Sequence, residues 1–155
     1  MPAPDESASR PTVPNDASVA PIRILFVCTG NTCRSPMAAG YFRRLLELRG
    51  RREVTVLSAG TFAGAGEPAA PPAVAAMREF AVDLSGHRST PLTPELIRAA
   101  DLIVTMTEAH RQQIGAILPA ALAKTRNLLS FAGQGQVPDP FGCNTTTYAG
   151  CFAEM

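Results

Sequence analysis

One short stretch constrains the fold of this chain more than any other. Residues 22–40 read Ile-Arg-Ile-Leu-Phe-Val-Cys-Thr-Gly-Asn-Thr-Cys-Arg-Ser-Pro-Met-Ala-Ala-Gly. An apolar, strand-like run ends on Cys28. Gly30 and Asn31 favour a turn, and Ser35-Pro36 opens a helix, where proline is tolerated at the first position. A turn leaving a strand can point several backbone N–H groups at one spot, and such a nest binds an oxyanion. The helix that follows aims its positive end at the same spot. Arg34 adds a planar fork of donors matched to phosphate oxygens. The same positive field favours Cys28 as a thiolate, the form that attacks phosphorus. The bare spacing of Cys28 and Arg34 by itself favours a buried thiol and a solvated arginine. The flanking strand, turn and helix favour the phosphate loop.

The rest of the chain alternates strands and helices. A strand is expected over 22–27 and a helix over 36–49, with Met37, Tyr41, Leu45 and Leu48 on one apolar face and Gly50 as its stop. Glu53–Ser58 alternates as a second strand, 61–72 is a Gly/Ala/Pro-rich loop, and Pro72 starts a helix through Phe80. Thr93 caps a short helix to Ala100, Asp101–Met106 is a third strand, and Thr107 caps a helix to about Leu118, ended by Pro119. Thr125–Ser130 is the weakest strand. This alternation implies an α/β fold with a parallel sheet and helices on both faces. A loop leaving the carboxyl end of the first strand is where such sheets bind ligands.

With 155 residues, one domain is expected. The net charge of +1 offers no field for nucleic acid or a membrane surface. No apolar run approaches the ~18 residues of a membrane span, and no secretory leader is expected. Residues 1–20, with several prolines and little periodic hydrophobicity, read as a disordered tail. Cys28, Cys33, Cys143 and Cys151 are not spaced as zinc ligands, so no metal is expected. A reduced, cytoplasmic compartment suits a nucleophilic thiol, and Cys143 and Cys151 are taken as incidental.

Cys28-Thr29-Gly30-Asn31-Thr32-Cys33-Arg34-Ser35-Pro36-Met37-Ala38 resembles the signature of the low-molecular-weight protein tyrosine phosphatases, and within them most resembles the bacterial protein arginine phosphatases. The resemblance continues through Ser58-Ala59-Gly60-Thr61, Leu84-Ser85-Gly86-His87, Pro91-Leu92-Thr93, Ala100-Asp101-Leu102-Ile103 and Pro138-Asp139-Pro140-Phe141-Gly142. It implies a flavodoxin-like four-stranded parallel sheet with the phosphate-binding loop after strand 1. It also implies a cysteine-dependent phosphatase that needs no cofactor and acts on a phosphorylated protein or peptide. On this resemblance Cys28, Arg34 and Asp139 are the catalytic residues. Asp139 protonates the leaving group and then serves as base for water; without the resemblance it reads as a turn residue between prolines. Thr29, Gly30, Asn31, Thr32, Cys33 and Ser35 form the loop around the phosphate, Phe141 walls the pocket, and Ser58 and His87 brace the loop.

Some readings stay open at this level. Ser35 suits both a hydrogen bond to the thiolate and a helix cap. Cys33 is either a small buried residue or a disulfide partner for Cys28. Thr29, where tyrosine-directed members usually carry an aliphatic residue, favours phosphoarginine, with a tyrosine phosphatase as the alternative. An arsenate reductase needs a further cysteine pair, and residues 80–100 contain none. A non-enzymatic phosphate-binding protein draws support from the C-terminus, where Asn144-Thr145-Thr146-Thr147, a poor helix segment, stands in place of the expected long final helix. No role is expected for His110, placed on an exposed helix face.

Overall fold

The computed structural model describes residues 20–133 and 135–140. The expected N-terminal tail up to residue 19, the abbreviated final helix, and Phe141, Cys143 and Cys151 lie outside the described residues. Four strands form one parallel sheet in the order β2-β1-β3-β4, with β1 Ile22–Cys28, β2 Val54–Gly60, β3 Leu102–Thr105 and β4 Thr125–Asn127. The helices are α1 Arg34–Leu48, α2 Pro71–Arg78, α3 Pro94–Ala99 and α4 Glu108–Ile117. No described helix is long and apolar enough to cross a membrane.

The central strand β1 shows why both faces must be covered. Phe26 and Cys28 face one way, packing with Met37 of α1, Met77 of α2 and Val104 of β3. Leu25 and Val27 face the other, packing with Ile97 of α3, Ile103 of β3 and Ile114 of α4. Each such side chain contributes about 1.5–3 kcal/mol when fully buried. An unbroken apolar run is the mark of a strand buried on both faces. In register, Cys28 pairs with Gly60, and Val27 pairs with Ala59 on one side and Thr105 on the other. From β1 the chain passes to β2 on one side; from β3 it passes to β4 on the other. The carboxyl ends of β1 and β3 therefore flank the point where the winding reverses, the crevice in which open α/β sheets hold ligands.

Several boundaries differ from the sequence expectation. Helix α1 begins at Arg34, with Cys33 at the cap position and no side chain capping it. Its packed face runs through Met37, Tyr41, Phe42 and Leu46, whereas Leu48 is 65% exposed. The helical repeat carries the apolar stripe past Leu48, and Phe42 holds its side through an edge-on contact with Phe26, ring centroids 5.7 Å apart. The fourth strand is only Thr125–Asn127, because the chain tightens into a 3₁₀ turn over Leu128–Ala132. Thr93 and Thr107 cap α3 and α4 as expected.

Gly60 sets how closely β2 approaches the loop after β1. A Cβ there would lie 2.3 Å from the Thr29 carbonyl oxygen and 2.9 Å from the Asn31 nitrogen. Both are backbone atoms and cannot swing aside. Gly60→Ala is therefore expected to cost about 1–3 kcal/mol, as overpacking does, and to weaken binding of phosphate or vanadate. Thermal melts and an anion titration check this; a variant with unchanged melting and binding would mean that the loop is free of β2.

Candidate active site

The loop that leaves β1 is held by its carbonyls. Cys28 O accepts from Thr61 N at 2.9 Å, Thr29 O from Phe62 N at 2.9 Å, Thr32 O from Ala70 N at 2.8 Å and Cys33 O from Met37 N at 3.0 Å. Asn31 O accepts from His87 Nε2 at 2.7 Å. Among the described residues, no amide from Thr29 to Cys33 donates to a protein acceptor. Every carbonyl named is tied to a donor of the surrounding protein, which leaves these N–H groups free for an anion, as an oxyanion nest requires.

Asn31 makes the turn possible. Its φ is +54°, in the left-handed region that asparagine tolerates better than most residues. Its side chain is fully buried and works in both directions: Oδ1 accepts from Thr90 N at 2.8 Å, and Nδ2 donates to Ser35 Oγ at 2.8 Å. Ser35 Oγ lies 2.9 Å from Cys28 Sγ. A hydroxyl that accepts from Asn31 still has its own proton to give, and opposite a Cys28 thiolate, which has none, it is the donor. Ser35 thus serves the thiol and does not cap the helix. His87 reaches the loop through its Nε2. Ser58 does not: it sits within β2 opposite Phe26, and among the described residues its side chain makes no hydrogen bond to the loop, which is held instead by donors beyond the strand's end.

Arg34 joins the loop to a distant segment. Its Nη1 donates to Val137 O at 3.2 Å, and Nη2 lies 3.4 Å from Thr29 Oγ1 and 3.5 Å from Asp139 Oδ2. Val137 is fully buried, and its N–H donates to Met106 O at 2.9 Å, pinning the segment to the end of β3. Asp139 is thereby delivered to the loop, half exposed beside a guanidinium whose side chain is 5% exposed. Arg34 Nε is buried with no partner among the described residues. That donor and the inward amides together suit a tetrahedral dianion. A cavity of about 340 Å³ adjoins them, lined by Thr29, Gly30, Thr32, Cys33, Arg34, Phe62, Glu67 and Asp139. A larger cleft of about 590 Å³ along β2, lined by residues such as Arg43, Leu46 and Arg52, holds none of these groups.

Cys33 and His110 complete the site. Burial, reinforced by the neighbouring Cys28 sulfur, pushes the Cys33 thiol up to about 12, so Cys33 stays protonated. His110 is not on an exposed face: it is 3% exposed, because its ring turns inward to close a capping box with Thr107. Its Nε2 lies 2.8 Å from Thr29 Oγ1. Sequence reasoning missed it, along with Gly60, Phe62, Glu67 and Val137. A histidine three residues after a threonine cap was the available signal for the first. An aromatic residue in a Gly/Ala-rich loop was the signal for Phe62, which is 89% exposed.

The family model described as low molecular weight phosphotyrosine protein phosphatase matches residues 23–155. The chain is 43% identical over 127 residues to a protein-arginine-phosphatase of Bacillus subtilis, covering 81% of this chain and 83% of that one. A solved structure of the YwlE arginine phosphatase, a cysteine-to-serine mutant with a phosphorylated active-site serine, superposes with a TM-score of 0.81 at 41% identity, covering 86% of this chain and 88% of that one. The tyrosine phosphatase Wzb from Escherichia coli K30, in complex with sulphate, superposes with a TM-score of 0.78 at 32% identity, covering 85% and 89%.

Burial first, and then the charge of Arg34, push His110 down to about 4 from its ordinary 6.5. The unfolded chain therefore binds more protons than the folded one between those values, and stability falls as pH drops through that window. Melting temperature should decline from pH 6.5 toward about 4, and His110→Gln, which has no proton to take up, should show a shallower decline. Parallel slopes for the two proteins would assign the acid sensitivity to other groups.

Proposed function

The chain belongs to the low-molecular-weight phosphotyrosine protein phosphatase family and is a phosphoprotein phosphatase; from that footing we propose that its substrate is phosphoarginine in proteins, with Cys28 as nucleophile and Asp139 as general acid. The observation that carries the reading is the loop after Cys28, its carbonyls tied to the surrounding protein and its amides without protein acceptors, joined through Arg34 to Asp139. The Cys28 thiolate attacks phosphorus in line, the P–N bond breaks, and its electron pair takes the proton of Asp139. A cysteinyl-phosphate remains. Asp139, now a carboxylate, removes a proton from water, which attacks phosphorus and releases phosphate and the thiolate. Throughout, the amides from Thr29 to Arg34 and the Arg34 guanidinium hold the equatorial oxygens, where transition-state charge resides. Ser35 stabilises the thiolate as nucleophile and again as leaving group.

Specificity rests on the pocket wall. Thr29 offers a short side chain that suits a flat guanidinium better than an aromatic ring, and Asp139 supplies a carboxyl oxygen that accepts from its N–H groups. Phe141 is proposed as a further wall, and Gly30, Thr32 and Cys33 as the floor around the phosphoryl group. The arginine phosphatases among the relatives, 41–43% identical, support this choice over tyrosine.

Asp139→Asn should slow hydrolysis about 10²–10⁴-fold for substrates with poor leaving groups, the usual worth of a general acid, and far less for an activated aryl phosphate. Steady-state rates on both classes check this; equal losses would point to loop structure. Thr29→Ile should lower activity on phosphoarginine while preserving or raising it on phosphotyrosine, measured side by side with the wild-type protein. Wild-type preference for phosphotyrosine would overturn the arginine assignment.

A further inference from the structure

The Thr29 hydroxyl is not a passive part of the pocket wall. Its oxygen lies 2.8 Å from His110 Nε2 and 3.4 Å from Arg34 Nη2. The state of the imidazole follows from its other nitrogen. His110 Nδ1 lies 3.2 Å from the Thr107 backbone nitrogen, and a backbone N–H can only donate. Nδ1 is therefore an acceptor and carries no proton. In the neutral ring the proton then sits on Nε2, which donates to Thr29 Oγ1. The guanidinium of Arg34 also has only donors to offer. Both acceptor positions of the Thr29 oxygen are thus claimed, and its own proton is left to point away from these two donors; Thr29 is exposed and borders the cavity.

We propose that His110 is a positioning residue for Thr29: by donating from Nε2 it fixes the hydroxyl as a hydrogen-bond donor facing the pocket, presented to an oxygen of the substrate's phosphoryl group. Helix α4 reaches the pocket wall through this contact. The capping box that starts the helix orients the ring, and the ring orients the threonine. An acceptor-facing hydroxyl would instead meet the phosphoryl oxygens with a lone pair and repel them. The inference rests on the phosphatase reading of the pocket and not on the preference for arginine.

The test is a double-mutant cycle of His110→Phe with Thr29→Val, read as kcat/KM on phosphoarginine and, in parallel, on p-nitrophenyl phosphate. In the wild-type background His110→Phe should cost about three- to tenfold, the worth of a neutral hydrogen bond. In the Thr29→Val background, where no hydroxyl remains to be oriented, it should cost nothing further. His110→Gln, whose amide can accept from the Thr107 N–H and donate to Thr29, should recover most of the loss. Should His110→Phe fail to fold, His110→Asn takes its place, since it is too short to reach Thr29. Equal losses in both backgrounds, or no recovery by glutamine, would overturn the proposal and leave His110 as a helix cap. A wild-type protein inactive on phosphoarginine but active on the aryl phosphate would overturn the arginine assignment alone, because the cycle is then read on the aryl substrate.

Discussion

Everything at this site depends on where five carbonyl groups point. A peptide unit is planar, so fixing a carbonyl outward fixes the next amide inward. The body of the protein does this from several directions at once: residues 61 and 62 beyond β2, Ala70 ahead of α2, His87 from the following loop, and α1 itself. No one of these bonds is strong, at about 0.5–1.5 kcal/mol net. Together they hold amides that would otherwise turn to water. The charge stabilisation is thus prepared during folding, and no reorganisation is needed when an anion arrives.

Arg34 extends this order beyond the loop. A guanidinium is rigid and always charged, and here it faces a main-chain carbonyl, a hydroxyl and a carboxylate. The carbonyl belongs to Val137, which is itself fastened to the end of β3. Two segments far apart in the chain therefore share one reference point, and Asp139 is placed beside Arg34 with no helix or strand adjoining it among the described residues. The local chain supplies only a Pro-Asp-Pro turn; its placement comes from buried anchors on either side.

That division explains what could be read in advance. Strand β1, the turn, α1 and the parallel alternation follow from periodicity and turn chemistry, which act over a few residues. Asn31 was visible for the same reason, since a left-handed turn has a local preference. The misplaced residues all depend on partners distant in sequence. Ser35 looks like a cap until Asn31 and Cys28 are seen on either side of it. Leu48 fits an apolar stripe, but the stripe follows whichever face meets Phe26 and the sheet. Ser58 belongs to a motif that supports the loop, yet the support comes from Gly60, whose contribution is the absence of a side chain. His110 seemed a polar residue on a helix surface, and only the fold reveals that this surface faces Thr29.

The two cysteines of the loop differ in a way that bears on oxidation chemistry. Cys33, with its thiol pushed up to about 12, holds almost no thiolate near neutral pH, and the thiolate is the form that attacks an oxidised sulfur or an electrophile. A thiol-directed reagent therefore finds almost no thiolate at Cys33. Attack by Cys33 on an oxidised neighbour would accordingly be slow at neutral pH and quicken as alkalinity rises.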